Sequence, residues 1–140
     1  MRIKDGLVAG SWAAVLGAIP STVYGLATGQ VSETTLAAGS ILLPKERRRS
    51  TLGLAAVPVH LGLSFGWGVI ASLILPRRST SAWGVALGAA IAALDLGVIG
   101  RRFPRIQALP PVPQIADHLA YGLVVGLVLK RRRINIAGDG

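Results

Sequence analysis

Residues 59–75 read VHLGLSFGWGVIASLIL, and the fold follows from which of two readings of this stretch holds. Gly62-Leu63-Ser64-Phe65-Gly66 has the spacing of a nucleophile elbow, in which a strained strand-to-helix turn lifts a serine toward a base such as His60. The same residues lie inside an apolar run of the length a bilayer requires, about 20 residues at about 1.5 Å each. In a continuous helix Ser64 falls about 160° from Gly62, on the side of His60 and Trp67, and no turn exposes it. A hydroxyl so placed bonds back to its own helix. The stretch therefore reads as a membrane helix, and no enzymatic activity is expected.

The rest of the chain repeats that pattern. Of 140 residues, 51% are hydrophobic and 15% charged, too few charges to keep a soluble domain of this size dissolved. The charges gather at residues 2–5, 45–49, 77–78, 101–105 and 130–133, with apolar runs between them. Four spans are expected in a single all-α transmembrane domain, at about 7–29, 51–75, 82–100 and 114–130. The run after Met1 outlasts a signal-peptide core and reads as a retained first span. Pro20 should kink it and free a carbonyl near Leu16.

The links are unequal. PRRSTS at 76–81 is a tight turn, which predicts that spans two and three form a hairpin. Residues 35–44, TLAAGSILLP, are too short to cross and predict a re-entrant or interfacial helix ended by Pro44. RRFPRIQALPPVP at 101–113 predicts an extended connection.

Internal similarity suggests two copies of one hairpin. WAAVLGA at 12–18 matches WGVALGA at 83–89, and HLGLSFGWG at 60–68 matches HLAYGLVVG at 118–126. Glycines four apart recur at Gly62/Gly66, Gly84/Gly88 and Gly122/Gly126, and also at Gly6/Gly10 and Gly25/Gly29. Such pairs let backbones approach in lipid, where packing replaces the hydrophobic drive, so these faces are expected to meet.

Ionisable groups at membrane depth are costly and become the candidate functional residues: His60, Asp95, Asp117 and His118. Helical spacing puts Asp95 on the face of Gly84 and Gly88, and His118 on that of Gly122 and Gly126. An Asp95–His118 contact across the last two spans is expected, with Tyr121 and Tyr24 close by; Tyr24 is the repeat-equivalent of Asp95. The contact would be a register-fixing hydrogen bond or a titrating site, and Asp95 could pair instead with Arg102. No metal site or cofactor is expected: cysteine is absent and no HxxxH or ExxH spacing occurs.

The net charge of +9 comes from clusters at helix ends, which act on topology and anionic lipid more than on nucleic acid. Arg47, Arg48, Arg49, Lys130, Arg131, Arg132 and Arg133 are the expected lipid-headgroup contacts. With both termini cytoplasmic, eight basic residues lie inside against seven outside. Arginine outnumbers lysine 12 to 3, a composition that suits an actinobacterium.

VHLGLSFGWG, DHLAYGLVVG and LVAGSWAAVLGAIPS together resemble the small four-span bacterial inner-membrane proteins of the YagU-like type. That resemblance implies a fold and no defined activity. Without a GxxxxGK[ST] loop, energy would have to come from a partner. The expected role is a non-catalytic accessory subunit of a larger inner-membrane complex, with lipid transport, as by an MCE-type importer, as the expected process. The alternative is a small oligomeric transporter or channel with His60, Asp95 and His118 along its path.

Overall fold

A computed structural model describes residues 3–138. Every element among them is helical. In chain order these are α1 (Ile3–Leu16), α2 (Ile19–Thr28), α3 (Glu33–Leu42), α4 (Arg49–Ile74) and α5 (Thr80–Leu94). A π-helical turn (Asp95–Ile99), a 3₁₀ turn (Gly100–Arg102), the short α6 (Pro104–Gln107) and α7 (Pro111–Gly138) follow. Four helical stretches are long and apolar enough to cross a membrane: Ile3–Thr28, Arg49–Ile74, Thr80–Arg102 and Pro111–Asn135. The chain is a four-helix membrane bundle.

The interior is built from small side chains. Ala9 and Ala13 of α1, Ala71 and Leu75 from the end of α4, and Val125 and Leu129 of α7 form the buried core. Larger residues such as Leu54, Val15, Leu26 and Leu73 point outward, as befits a surface solvated by hydrocarbon. Glycine sets the closest approaches. A side chain on Gly68 would strike the carbonyl of Gly6 and the backbone of Gly10, so α1 and α4 touch backbone to backbone. Gly84 and Gly88 meet Gly122, Gly126 and His118 in the same way, which locks α5 to α7. Equivalent positions of the two similar segments make these contacts: Gly10 with Gly68, and Ser81 with Gly126.

Several expectations need correction. Gly62 and Gly66 pack against nothing within 4 Å. Because α4 turns the stripe of Ser64, Gly68 and Ala71 toward α1, residues about 160° away face outward. Spans two and three do not form a packed hairpin: α4 lies on α1 and α3, whereas α5 lies on α7. The glycine notches, and not the shortness of the turn, choose the neighbours. The connection at 101–113 is not extended but folds into the 3₁₀ turn and α6. The fourth span begins at Pro111, since Pro111 and Pro113 occupy a first turn whose N–H groups have no intrahelical acceptor.

The apolar piece after the first span is helical, as α3, and packs across the start of α4 with Gly39 against the Leu52 carbonyl. Arg49 closes this corner by donating to Glu33 Oε1 at 3.0 Å and to Ser32 Oγ at 2.6 Å. It is therefore engaged by protein. Arg47 and Arg48 stay exposed, and their backbone N–H groups donate to Glu46. The N–H of Arg48, then that of Arg47, holds the Glu46 carboxyl below the usual range, so this turn loses the contribution as pH falls through that lowered value.

Two of the expected headgroup arginines turn inward. Arg132 Nε donates to Asp5 Oδ1 at 2.6 Å, and Asp5 is only 1% exposed. Arg133 donates to the carbonyls of Leu75 and Pro76 and to Thr80 Oγ1, tying α7 to the α4–α5 turn. These guanidinium groups are thus engaged by a buried carboxylate and by the carbonyls of the turn. Lys130 and Arg131 remain exposed.

Candidate functional site

The first crossing helix is broken at Gly17 and Ala18, between α1 and α2. Pro20, in the first turn of α2, has no N–H to return to the α1 carbonyls. A break inside a membrane leaves backbone groups that water cannot satisfy, so side chains must. His60 Nε2 lies 2.8 Å from the Ala14 carbonyl, which can only accept, so the ring donates there. Asp117 Oδ1 accepts the backbone N–H of Ser21, in the first turn of α2, at 2.8 Å. His60 thus satisfies the Ala14 carbonyl, two residues before the Leu16 carbonyl that Pro20 leaves without its helical N–H.

The second half of the site lies where α5 loosens into its π-helical turn. Asp95 is the first residue of that turn, and its Oδ2 stands 3.1 Å from His118 Nε2. His118 Nδ1 lies 2.7 Å from the Gln114 carbonyl, an acceptor only, so Nδ1 carries a hydrogen. A proton must also sit between Nε2 and the carboxylate, because two bare acceptors would repel. Asp95 and His118 therefore form a proton-sharing pair, an imidazolium against a carboxylate or its neutral equivalent. Asp95 contacts His118, not Arg102.

Around these groups lies a cavity of about 180 Å³. His60, Asp95, Asp117 and His118 all line it, with Ser64, Gln114 and Tyr121. Apart from these and Thr34 its wall is apolar, including Ile41, Leu63, Trp67 and Ile91. A second cavity, of about 350 Å³, lies between α2, α3 and α4. The two share Ala18, Thr34, Ala38, His60 and Asp117 in their walls. Thr22, Val57 and Leu61 at the second cavity's rim are exposed on the side of the bundle.

Tyr121 donates its hydroxyl to the Ser64 carbonyl at 2.6 Å, joining α7 to α4. Tyr24 lines neither cavity and sits on the exposed side of α2, because the break at 17–18 turns this part of span one away from its repeat-equivalent direction. Ser64 lies in uninterrupted helix, and His60 is committed to Ala14. Two participants escaped the sequence reading, Ser21 as the donor to Asp117 and Gln114 as the carbonyl that fixes the His118 tautomer. The orphan N–H groups after Pro20 are the signal that pointed to the first.

Neither a family model, nor a curated protein, nor a solved structure matches the chain.

Proposed function

We propose that the chain is a non-catalytic accessory subunit of a larger assembly in a bacterial inner membrane, docked on its partner through the outer face of α4. One observation carries this reading. Gly6/Gly10, Gly84/Gly88 and Gly122/Gly126 are all closed against neighbouring backbone, whereas Gly62 and Gly66 meet nothing. Each glycine inside a helix costs about 0.5–1 kcal/mol relative to alanine, and an unused pair is a notch into which another helix could pack. Continuous helix through Ser64, with His60 turned to Ala14, supports the non-catalytic part. The start of α1 and the last turns of α7 lie on one side, where Asp5 meets Arg132, and we assign that side to the cytoplasm, with eight basic residues of the sequence against seven on the other.

The test is purification from the native membrane in mild detergent, with companions identified by mass spectrometry. Stoichiometric companions, a lipid importer among them, should co-purify with wild type and be lost with the Gly62→Leu, Gly66→Leu double variant, while the bundle stays folded. Companions that are absent from wild type, or that survive the double variant, contradict the proposal. A second reading, a small transporter that works as an oligomer, is favoured by the polar cavities; a homo-oligomer as the sole species would select it.

A further inference from the structure

We infer that the two adjoining cavities form a binding site for a small hydrophobic organic cation, an amine or quaternary ammonium with an apolar body, whose positive centre rests against Asp117. The charge inventory leads there. No lysine or arginine lines either cavity. Asp95 is balanced by the proton it shares with His118, and His60 spends its ring N–H on a backbone carbonyl. Asp117, in contrast, is hydrogen-bonded by Ser21, a neutral group; its basic neighbours His60 and His118 are engaged with Ala14 and with Asp95 and Gln114, and its carboxylate faces both cavities. A carboxylate at membrane depth without a dedicated basic residue favours a cation brought by a ligand and disfavours an anion.

The remaining walls define the rest of the ligand. Trp67 and Tyr121 place aromatic side chains, the residue type that attracts ammonium groups, in the wall, and Ile41, Leu63 and Ile91 offer apolar contact. A hydrated divalent ion fits less well, because no three His, Cys, Asp or Glu side chains converge among the described residues. The exposed rim of Thr22, Val57 and Leu61 opens on the flank of the bundle, so an amphiphilic cation dissolved in the bilayer can reach Asp117 sideways.

The experiment uses the full chain in lipid nanodiscs and benzyltrimethylammonium as probe. Trp67 fluorescence is read in a Trp12→Phe, Trp83→Phe background, both of these tryptophans being exposed. Saturable quenching is expected, weakened at least about tenfold by Asp117→Asn, which keeps an oxygen for the Ser21 N–H. Asp95→Asn should weaken it less. Ala38→Phe, which adds bulk where the two cavities adjoin and leaves every charge in place, should abolish saturation. Neopentylbenzene, the uncharged isostere, should not compete. Failure to saturate with the parent protein, wild-type affinity in Asp117→Asn, a loss confined to Asp95→Asn, or competition by neopentylbenzene would each overturn the assignment. None of these readouts depends on the α4 docking face.

Discussion

The carboxylate of Asp117 accepts the backbone N–H of Ser21 at 2.8 Å across 96 residues of sequence, and so restores a hydrogen bond where the first membrane helix is interrupted. The contact fixes α7 against α2 where the break at residues 17–18 leaves the backbone of the first span in need of a partner. Asp117→Ala leaves that donor without an acceptor, at an expected cost of about 1–3 kcal/mol. Asp117→Asn retains an acceptor and should cost less than half of that. Denaturant titration of the two variants in detergent, followed by helical circular dichroism, checks the order; equal losses would show that the Ser21 bond contributes nothing.

Glycines of identical spacing should respond in opposite ways. Alanine at Gly84 or Gly122 drives a methyl group into facing backbone, an overpacking that costs about 1–3 kcal/mol or separates α5 from α7. Alanine at Gly62 or Gly66 meets open space and should raise the stability of the isolated chain by up to about 1 kcal/mol. The same unfolding assay distinguishes them, and destabilisation by Gly62→Ala would contradict the outward direction of that face.

Arg132→Ala removes a guanidinium from a carboxylate that is 1% exposed and should destabilise the bundle by about 1–3 kcal/mol. Adding Asp5→Asn should recover part of that loss, because the neutral amide no longer needs a cation. Additive losses in the double-mutant cycle would mean that the two side chains act independently.

The spans and the Asp95–His118 pairing were legible because few polar residues interrupt long apolar runs, and helical spacing fixes which of them share a stripe with packing glycines. Spacing alone does not say which glycine stripe is used. Gly62/Gly66 and Ser64/Gly68 lie on opposite sides of one helix, and the choice between them depends on the shape of α1, which sequence periodicity does not encode. The inward turn of Arg132 and Arg133 was hidden for a similar reason. A basic run at a helix end reads as a headgroup contact until a buried Asp5 and the turn carbonyls of Leu75 and Pro76 are found beneath it. Pro20 announced a break; its donor side, satisfied by Asp117, required the position of α7.

The central claim is that Asp95, Asp117 and His118 turn inward at membrane depth and, together with an otherwise exposed His60 that reaches Ala14, satisfy one another and the broken backbone. The most direct measurement is solid-state NMR of the chain in lipid, with labelled histidine and aspartate, reading His118 ring protonation and the Asp95 Cγ to His118 Nε2 distance. Both His118 nitrogens proton-bearing or sharing a proton, with that carbon within about 4 Å of Nε2, is the expected result. A neutral His118 ring with no carboxyl carbon nearby, and Asp95 in contact with acyl chains, would contradict it.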